Sequence, residues 1–340
     1  MSSTVPQLEP EVLRSRIARF RQVQGEMVTQ VRRVIVGQQE VLEQVMIALF
    51  VGGHCLITGL PGTAKTLLVR TISQTLGLIF KRIQFTPDLM PSDITGTDII
   101  EEDPANGRRT WTFVPGPIFA NILLADEINR TPPKTQSALL EAMQERACTV
   151  RGNNYLLPAP FFVLATQNPI ELEGTYPLPE AQLDRFLFNT VLDYLDADEE
   201  LKVVDLTTVT SIPTADPVTD AQEIIDFQQL VRMVPIGESV ARHAVDLVRV
   251  SRSSDENAPD FVKKYVNYGA SVRAAQFLVL AAKAKALMKG RYHVTYEDIR
   301  SLYIPVLRHR ILLNFHAESD RLKQDDILKR ILEWKAAPSQ

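Results

Sequence analysis

The chain has 340 residues, of which 45% are hydrophobic and 23% charged; this is the composition of an ordinary globular protein with room for two domains. Its formal net charge of −4 excludes a general electrostatic attraction to DNA or to anionic membranes, and its two cysteines exclude a disulfide framework. The sequence also lacks a signal-peptide core and any apolar run near the ~20 residues that span a bilayer. We therefore expect a cytoplasmic protein with no direct membrane insertion.

Hydropathy patterns in the first half of the chain alternate between helix and strand. Residues 11–33 and 40–50 carry apolar side chains at three- and four-residue steps, as amphipathic helices do. Short apolar runs then predict strands over 55–58, 78–85, 122–125, 161–166 and 186–192. Helical patterns lie between several of these runs, including one over 134–146. This alternation predicts a parallel five-stranded sheet with helices on both faces, an α/β fold.

Two segments interrupt the alternation, and each predicts a β-hairpin. In the first, runs at 97–101 and 109–114 flank a turn that contains Asn106-Gly107. In the second, runs at 148–151 and 155–157 flank a short turn that contains glycine. Insertions of this kind usually lie at the surface and carry function.

The pattern changes after residue 196. Residues 207–217 are rich in Thr and Pro and predict a linker, and from residue 221 onward only helical patterns remain. These helices are predicted over 221–233, 238–250, 272–288, 296–313 and 325–334, and Thr295 with Asp298 predicts the N-terminal cap of the fourth. The predicted organisation is N-terminal helices plus an αβα core at 1–196, a linker at 197–220 and an all-helical domain at 221–340.

The segment from Gly59 to Thr66 has the pattern of a phosphate-binding loop. It follows the first predicted strand and runs into a helix, which is the context that this motif requires. Its glycines let backbone N–H groups converge on an anion, Lys65 would neutralise the β- and γ-phosphates, and Thr66 would bind Mg²⁺. Ala64 stands where the motif usually has glycine, and we expect it in the first helical turn, where alanine is favourable. The candidate binding residues are Gly59, Leu60, Pro61, Gly62, Thr63, Ala64, Lys65, Thr66 and Leu67. The alternative is a glycine-rich turn with a surface lysine.

Two further predicted strands end in polar side chains. Asp126 and Glu127 follow the strand at 122–125, and Asn168 follows the strand at 161–166. Beside a phosphate loop, Asp126 would hold Mg²⁺ or a water bound to it, and Glu127 would polarise the attacking water, which Asn168 would orient. The alternatives are an Asp-Glu pair that only caps the following helix and an Asn-Pro turn without a catalytic role.

Together these motifs resemble the MoxR-type AAA+ ATPases. The resemblance rests on the phosphate loop and on the segments at 126–130, 133–146, 165–180 and 181–186, within a region of about 30–315. This family belongs to the helix-2-insert group, together with magnesium-chelatase ATPase subunits and minichromosome-maintenance helicases. The resemblance implies a P-loop NTPase (AAA+) core with two inserted hairpins and a smaller all-α lid domain. It also implies an ATPase that converts ATP to ADP and phosphate with Mg²⁺.

The resemblance assigns roles to individual residues. The segment that packs on adenine corresponds to Val36, Gly37 and Gln38. Lys65 and Glu127 correspond to catalytic residues, and Asn168 corresponds to the sensor-1 position. The Mg²⁺ ligands correspond to Thr66 and Asp126, and the Ala before Lys65 is common in the family. The two hairpins correspond to the helix-2 insert and the pre-sensor-1 hairpin, which face a central pore in relatives.

Three arginines complete the site that the resemblance implies. Arg185 resembles the arginine finger that reaches the nucleotide of a neighbouring subunit, and Arg130 is the rival for that role. The structural alternative for Arg185 is an ion pair within the chain, with Asp184 or Glu180. Arg273 resembles the sensor-2 arginine, which could serve its own nucleotide or that of a neighbour.

The resemblance also implies partners. It points to a homo-oligomeric, hexameric ring that acts like a chaperone in remodelling or maturing protein complexes. Such a ring would act on a protein client together with a von Willebrand factor A-domain partner. The alternatives are a chelatase-type ATPase subunit, a nucleotide-dependent assembly scaffold with little turnover, and a DNA motor. Nucleic acid is disfavoured as a partner, because the second hairpin contains only Arg151 as a positive charge.

Overall fold

The computed structural model describes residues 9–60, 62–102, 109–169, 174–210 and 213–336. A five-stranded sheet lies at the centre of the first half of the chain, and its neighbouring strands run parallel. In spatial order, and numbered along the chain, the strands are β2 (Phe80–Gln84), β5 (Ile122–Asp126), β8 (Phe162–Gln167), β1 (Cys55–Gly59) and β9 (Phe188–Leu192). The predicted sheet is therefore confirmed, although β2 and β9 begin later than expected.

Helices cover both faces of this sheet. Alternate residues of β5 face opposite cores: Ile122 and Leu124 belong to one hydrophobic cluster, and Leu123 and Ala125 belong to another. Burial on both faces explains why β5 is a continuous apolar run in the sequence. The helices of the first cluster include α1 (Pro10–Arg32), α2 (Gln39–Val51) and α3 (Lys65–Thr75), and the second cluster includes α5 (Pro133–Glu145).

Two antiparallel hairpins are inserted between strands of the sheet, as predicted. The first follows the short helix α4 (Pro91–Thr95) and pairs β3 (Gly96–Glu102) with β4 (Arg109–Pro115). The second pairs β6 (Ala147–Val150) with β7 (Asn153–Leu156). The predicted Asn106-Gly107 turn lies outside the described residues.

The two hairpins pack against each other through aromatic side chains. The ring of Phe113 stacks on that of Tyr155, with centroids 4.0 Å apart. The guanidinium of Arg151 lies 4.1 Å from the centroid of the Trp111 ring, within the range of a cation–π contact. The hairpins therefore form one joint surface.

The segment predicted as a linker contains a helix. A short helix, α6 (Glu180–Leu183), precedes β9, and α7 (Ala197–Thr207) follows it. Asp196 caps α7, because its side chain accepts a hydrogen bond from the N–H of Glu199 at 2.8 Å. None of the described residues of α7 is buried, so this helix lacks the buried apolar face that makes other helices recognisable in the sequence. The sequence analysis did not predict this helix, and the role of 197–220 as a linker between domains stays a prediction.

From residue 221 the chain is mainly helical. The helices are α8 (Ala221–Met233), α9 (Glu238–Arg249), α10 (Asp260–Tyr265), α11 (Val272–Met288), α12 (Tyr296–Leu307), α13 (Phe315–Ser319) and α14 (Gln324–Ala336). Thr295 and Asp298 form the predicted capping box of α12. A short ribbon pairs β10 (Val266–Tyr268) with β11 (Leu312–Leu313). The helix predicted to reach residue 313 therefore ends early, because its last residues pair with β10 instead.

The helical region shares a hydrophobic core with the helices on one face of the sheet. The ring of Phe20 in α1 lies 4.8 Å from that of Phe50 in α2 and 5.2 Å from that of Phe227 in α8. Burial of this shared apolar surface fixes the position of the helical region beside the sheet. The predicted boundaries between domains stay a prediction. Among the described residues, no helix combines the length and the apolar character needed to cross a membrane.

Candidate active site

The phosphate loop joins β1 to α3, as its motif predicts. Gly59 lies against β9, and a Cβ at this position would be 2.7 Å from the Cβ of Leu192. Gly62 has a φ of 82°, a left-handed conformation that glycine adopts without strain. The hydroxyl of Thr63 donates to the carbonyl of Leu60 at 2.8 Å, which tightens the loop. Pro61 lies outside the described residues.

Lys65 begins α3 and folds back over the loop. Its Nζ donates to the carbonyl oxygens of Gly59 and Leu60, each at 2.8 Å. Burial lowers the pKa of Lys65 from its ordinary value, and the charges of Asp126 and Glu127 oppose this change. A positive side chain and a helix N-terminus therefore meet at one loop, which is an arrangement that favours phosphate. Thr66 and Leu67 follow in the first turn of α3.

Ala64 occupies the N-cap position of α3 and not its first turn. Its φ of 59° and ψ of 23° are left-handed, a conformation that costs a residue with a Cβ about 1 kcal/mol. The expectation that helix propensity makes alanine acceptable here was therefore wrong. The loop keeps its shape despite Ala64 and bears a small strain at this position.

Asp126 ends β5, and both of its carboxylate oxygens have partners. The hydroxyl of Thr166 donates to Oδ1 at 2.6 Å, and Arg82 donates to Oδ2 through Nη2 at 2.6 Å and Nε at 3.1 Å. These side chains meet because β2, β5 and β8 are parallel neighbours whose carboxyl ends share one edge of the sheet. The carboxylate is thus held in a defined position beside the phosphate loop.

Glu127 follows Asp126 in a left-handed conformation, with a φ of 56°. Its backbone N–H donates to the Thr166 hydroxyl at 2.8 Å. Its Oε2 accepts a hydrogen bond from Gln84 at 2.8 Å and lies 3.2 Å from Nε of Arg130. Glu127 stands at the N-cap of the 3₁₀ helix Ile128–Arg130, but its side chain makes no capping hydrogen bond with the described residues. The alternative of a simple helix cap is therefore wrong for Glu127.

An apolar cavity of 340 Å³ adjoins the phosphate loop. Its lining includes Val36, Gln38, Leu67, Tyr194, Val203 and Val204. Gln38 donates to the carbonyl of Thr63 at 3.3 Å, and its Oε1 has no hydrogen-bond donor among the described residues. A Cβ on Gly37 would lie 2.7 Å from the carboxylate of Glu199 in α7. An apolar slot next to a phosphate loop fits a purine base. The contribution of α7 to this slot was not predicted, because that segment was interpreted as a linker.

Asn168 is buried and immediately follows β8. This strand pairs with β5, which carries Asp126. The described residues contain no group of three or more His, Cys, Asp or Glu side chains that could hold a metal ion. Mg²⁺ at Thr66 and Asp126 would therefore take further ligands from phosphate oxygens and water, which is its usual preference.

Comparisons with known proteins agree with this geometry. Residues 54–188 match the family described as ATPase family associated with various cellular activities (AAA), and residues 260–331 match the AAA lid domain. Chaperone MoxR1 of Mycobacterium tuberculosis is 41% identical over 309 residues, which cover 91% of this chain and 81% of that relative. The chain belongs to the MoxR-type AAA+ ATPases. Protein MoxR of Paracoccus denitrificans is 30% identical over 315 residues, 87% of this chain and 89% of that protein.

The fold of this MoxR-type ATPase is also similar to a solved structure. A crystal structure of a candidate ATPase from Cytophaga hutchinsonii superposes with a TM-score of 0.88 at 40% sequence identity. The match covers 95% of this chain and 97% of that one. The resemblance inferred from the motifs, and the AAA+ core that it implied, are thereby confirmed. The lid is helical as predicted except for the ribbon of β10 and β11, which departs from the expected all-α domain.

Arg185 of this MoxR-type ATPase lies between α6 and β9. Its Nη1 donates to the carbonyl oxygen of Leu140 in α5 at 2.5 Å. Asp184, suggested as its partner within the chain, pairs instead with Arg273 and Arg310. The ion-pair alternative is therefore wrong for Asp184, and the role of Arg185 at a subunit interface stays a prediction.

Asp184 connects the core to the lid. Its carboxylate lies 3.1 Å from Nη1 of Arg273 and 2.8 Å from Nε of Arg310, and it accepts a hydrogen bond from the hydroxyl of Ser271 at 3.2 Å. The proposed sensor-2 arginine and the residue before the proposed arginine finger are thus in direct contact. This connection was not predicted, because 126 residues separate Asp184 from Arg310.

The site also contains three residues that were not predicted: Arg82, Gln84 and Thr166. A signal for the first two exists, because β2 is short and carries alternate polar side chains towards its carboxyl end. In a parallel sheet that end lies beside Asp126, as the pairing of Gln84 with Asp126 shows. Polar residues on an edge strand next to the acidic strand are therefore candidates for the site.

Proposed function

We propose that this chain hydrolyses Mg²⁺-ATP in a homo-oligomeric ring and uses the energy to remodel or mature protein complexes. The observation that carries this proposal is the convergence of three features at one edge of the sheet. These are the phosphate loop, the carboxylates of Asp126 and Glu127, and the apolar cavity. Each feature suits a different part of Mg²⁺-ATP.

The residues of the site fit this substrate. The loop N–H groups and Lys65 would bind the phosphates. The adenine would enter the cavity, whose lining includes Val36, Gln38 and Tyr194. Thr66 and Asp126 would hold Mg²⁺, which neutralises phosphate charge when bound. Glu127 would accept the proton of the attacking water, and Asn168 would orient that water.

A neighbouring subunit would complete the site. Charge on the γ-phosphoryl oxygens in the transition state favours an arginine supplied from outside, an effect worth about 10³–10⁵ in rate. Arg185 is the leading candidate for this arginine. Arg130 is the second candidate, because it already pairs with Glu127 of its own subunit, whose Oε2 lies 3.2 Å from its Nε. Arg273 would report the nucleotide state to the lid. A hexameric ring is the proposed assembly.

The partners that we propose are proteins. The relative from Mycobacterium tuberculosis is named a chaperone, and we extend that class of activity to this chain. The joint surface of the hairpins exposes Ile100, Trp111 and Leu156, which suits an apolar protein segment better than a phosphate backbone. A protein client and a von Willebrand factor A-domain partner are therefore proposed, in the cytoplasm.

The substitution Glu127→Gln tests the proposed chemistry. The variant should bind a fluorescent ATP analogue as the wild type does and should lose at least about 100-fold in phosphate release, because it lacks the general base. Glu145→Gln, at an exposed position on α5, is the matched control and should keep full activity. Hydrolysis at the wild-type rate by Glu127→Gln would overturn the proposed role.

Mixed assemblies test the proposed interface. Arg185→Ala and Lys65→Ala should each be inactive alone, and mixing them should restore part of the activity. Restoration arises because some interfaces then combine an intact loop with an intact arginine. Absence of restoration in assemblies that contain both variants would argue against Arg185, and the same mixture with Arg130→Ala would then test its rival.

A further inference from the structure

Arg82 is hydrogen-bonded to Asp126, the carboxylate that the proposed metal site requires. Its guanidinium donates to Oδ2 of Asp126 through two N–H groups, at 2.6 and 3.1 Å. The hydroxyl of Thr166 donates to the other oxygen, Oδ1, at 2.6 Å. Donors from this chain therefore hold both oxygens of Asp126.

A divalent cation and this guanidinium compete for the same lone pairs. Both are positively charged, and a cation bound through Asp126 would lie within a few Å of Arg82, where like charges repel. The side chain of Asp126 is only 10% exposed, so that solvent screens this repulsion weakly. Simultaneous binding of Oδ2 by both groups is therefore unfavourable.

The guanidinium of Arg82 can move away from Asp126, because it is partly exposed and has a second hydrogen-bond partner. It lies on β2, an edge strand of the sheet, and its side chain is 46% exposed. Its Nη2 also donates to Oε1 of Gln84 at 2.6 Å, a contact that does not require Asp126. The guanidinium can thus leave the carboxylate and stay hydrogen-bonded.

We propose that Arg82 is a positioning residue that competes with the divalent cation for Asp126. In the absence of metal it neutralises and orients the buried carboxylate, which would be costly to leave unpaired. Binding of the metal then requires that Arg82 withdraw towards Gln84 and solvent. The affinity of the site for metal is therefore lower than Thr66, Asp126 and the nucleotide alone would give. This inference rests on the proposed function, because it requires that Asp126 hold the metal.

Direct measurement of metal binding tests the competition. Mn²⁺ can be titrated into the protein with ADP, and the loss of the free-ion electron paramagnetic resonance signal beyond that caused by the same ADP without protein reports binding without turnover. Arg82→Gln should bind Mn²⁺ about tenfold more tightly than the wild type, which is the size of one charge-assisted hydrogen bond. Arg82→Lys keeps the charge and should lie closer to the wild type. Lys81→Gln removes an exposed charge from the same strand and should leave the affinity unchanged.

The outcomes separate this inference from the proposed function. Affinity in Arg82→Gln that equals or falls below that of the wild type would overturn the competition. An equal gain in Lys81→Gln would also overturn it, because the effect would then be one of general charge. Asp126→Asn in the wild-type background should abolish ADP-dependent Mn²⁺ binding. If it does not, the metal site of the proposed function fails, whatever Arg82 does.

Discussion

Replacement of Arg310 by methionine should lower the free energy of unfolding by about 3 kcal/mol. The side chain of Arg310 is only 1% exposed, and its Nε lies 2.8 Å from Oδ1 of Asp184. Its other N–H groups donate to the backbone carbonyls of Asp184, Phe186 and Val306. Burial lowers the pKa of Arg310 to about 10, and the ion pair with Asp184 acts against this change. One lid side chain thus ties the lid to the core segment on either side of Arg185, just before β9.

The magnitude follows from what the substitution leaves behind. Loss of one partner of a buried ion pair costs about 3–5 kcal/mol, since the other charge stays buried. Asp184 keeps its contacts with Arg273 and Ser271, which places the cost at the lower end of that range. Methionine keeps an apolar stem in the buried site but loses the contact of the guanidinium with the Phe277 ring, 5.2 Å away.

Urea unfolding followed by circular dichroism measures this difference. The matched control is Arg242→Met, which removes an exposed helical arginine paired with Glu238 at 3.4 Å and should change stability by less than about 0.5 kcal/mol. If Arg310→Met proved as stable as this control, the buried ion pair would have no net structural role and the reasoning would be refuted.

Three further predictions concern single positions, and pH-dependent or variant urea unfolding checks each. Burial lowers the pKa of His54 to about 4, whereas the unfolded chain binds the same proton near pH 6.5. The free energy of unfolding should therefore fall by about 3 kcal/mol as the pH drops from 6.5 to 4. His54→Gln should make this pH dependence smaller. Ala64→Gly should stabilise the protein by about 0.5 kcal/mol, since relief of left-handed strain exceeds the entropy that glycine adds to the unfolded chain; a loss of stability would contradict this. Gly96→Ala should destabilise the protein by at least about 2 kcal/mol, because φ of Gly96 is 93° and the new Cβ would lie 2.3 Å from the Val114 carbonyl oxygen. No change in stability would show instead that the backbone at the base of the first hairpin can shift.

Local patterns explain what could be predicted about the fold. A strand buried on both faces is mostly apolar, so β5 and β8 are visible as apolar runs at 122–125 and 162–165 that end in polar residues. The helix α7 has no such signal, because its described residues are all at least partly exposed and only its cap and acidic first turn favour a helix. The ribbon of β10 and β11 is equally hidden, since two leucines at the end of a helical pattern can continue the helix or pair with a distant strand.

The sequence by itself determined the phosphate loop, the acidic end of β5 and the alternation of strands and helices, because each depends on residues close together in the chain. The tertiary structure alone decided which polar side chains meet. Arg82 reaches Asp126 across 44 residues and Arg310 reaches Asp184 across 126. The register of parallel strands makes the first contact, and the packing of the lid on the core makes the second. The polar residues of β2 are visible in the sequence, but neither their pairing with Asp126 nor the pairing of Arg310 with Asp184 is, and so these contacts appear only when the chain is folded.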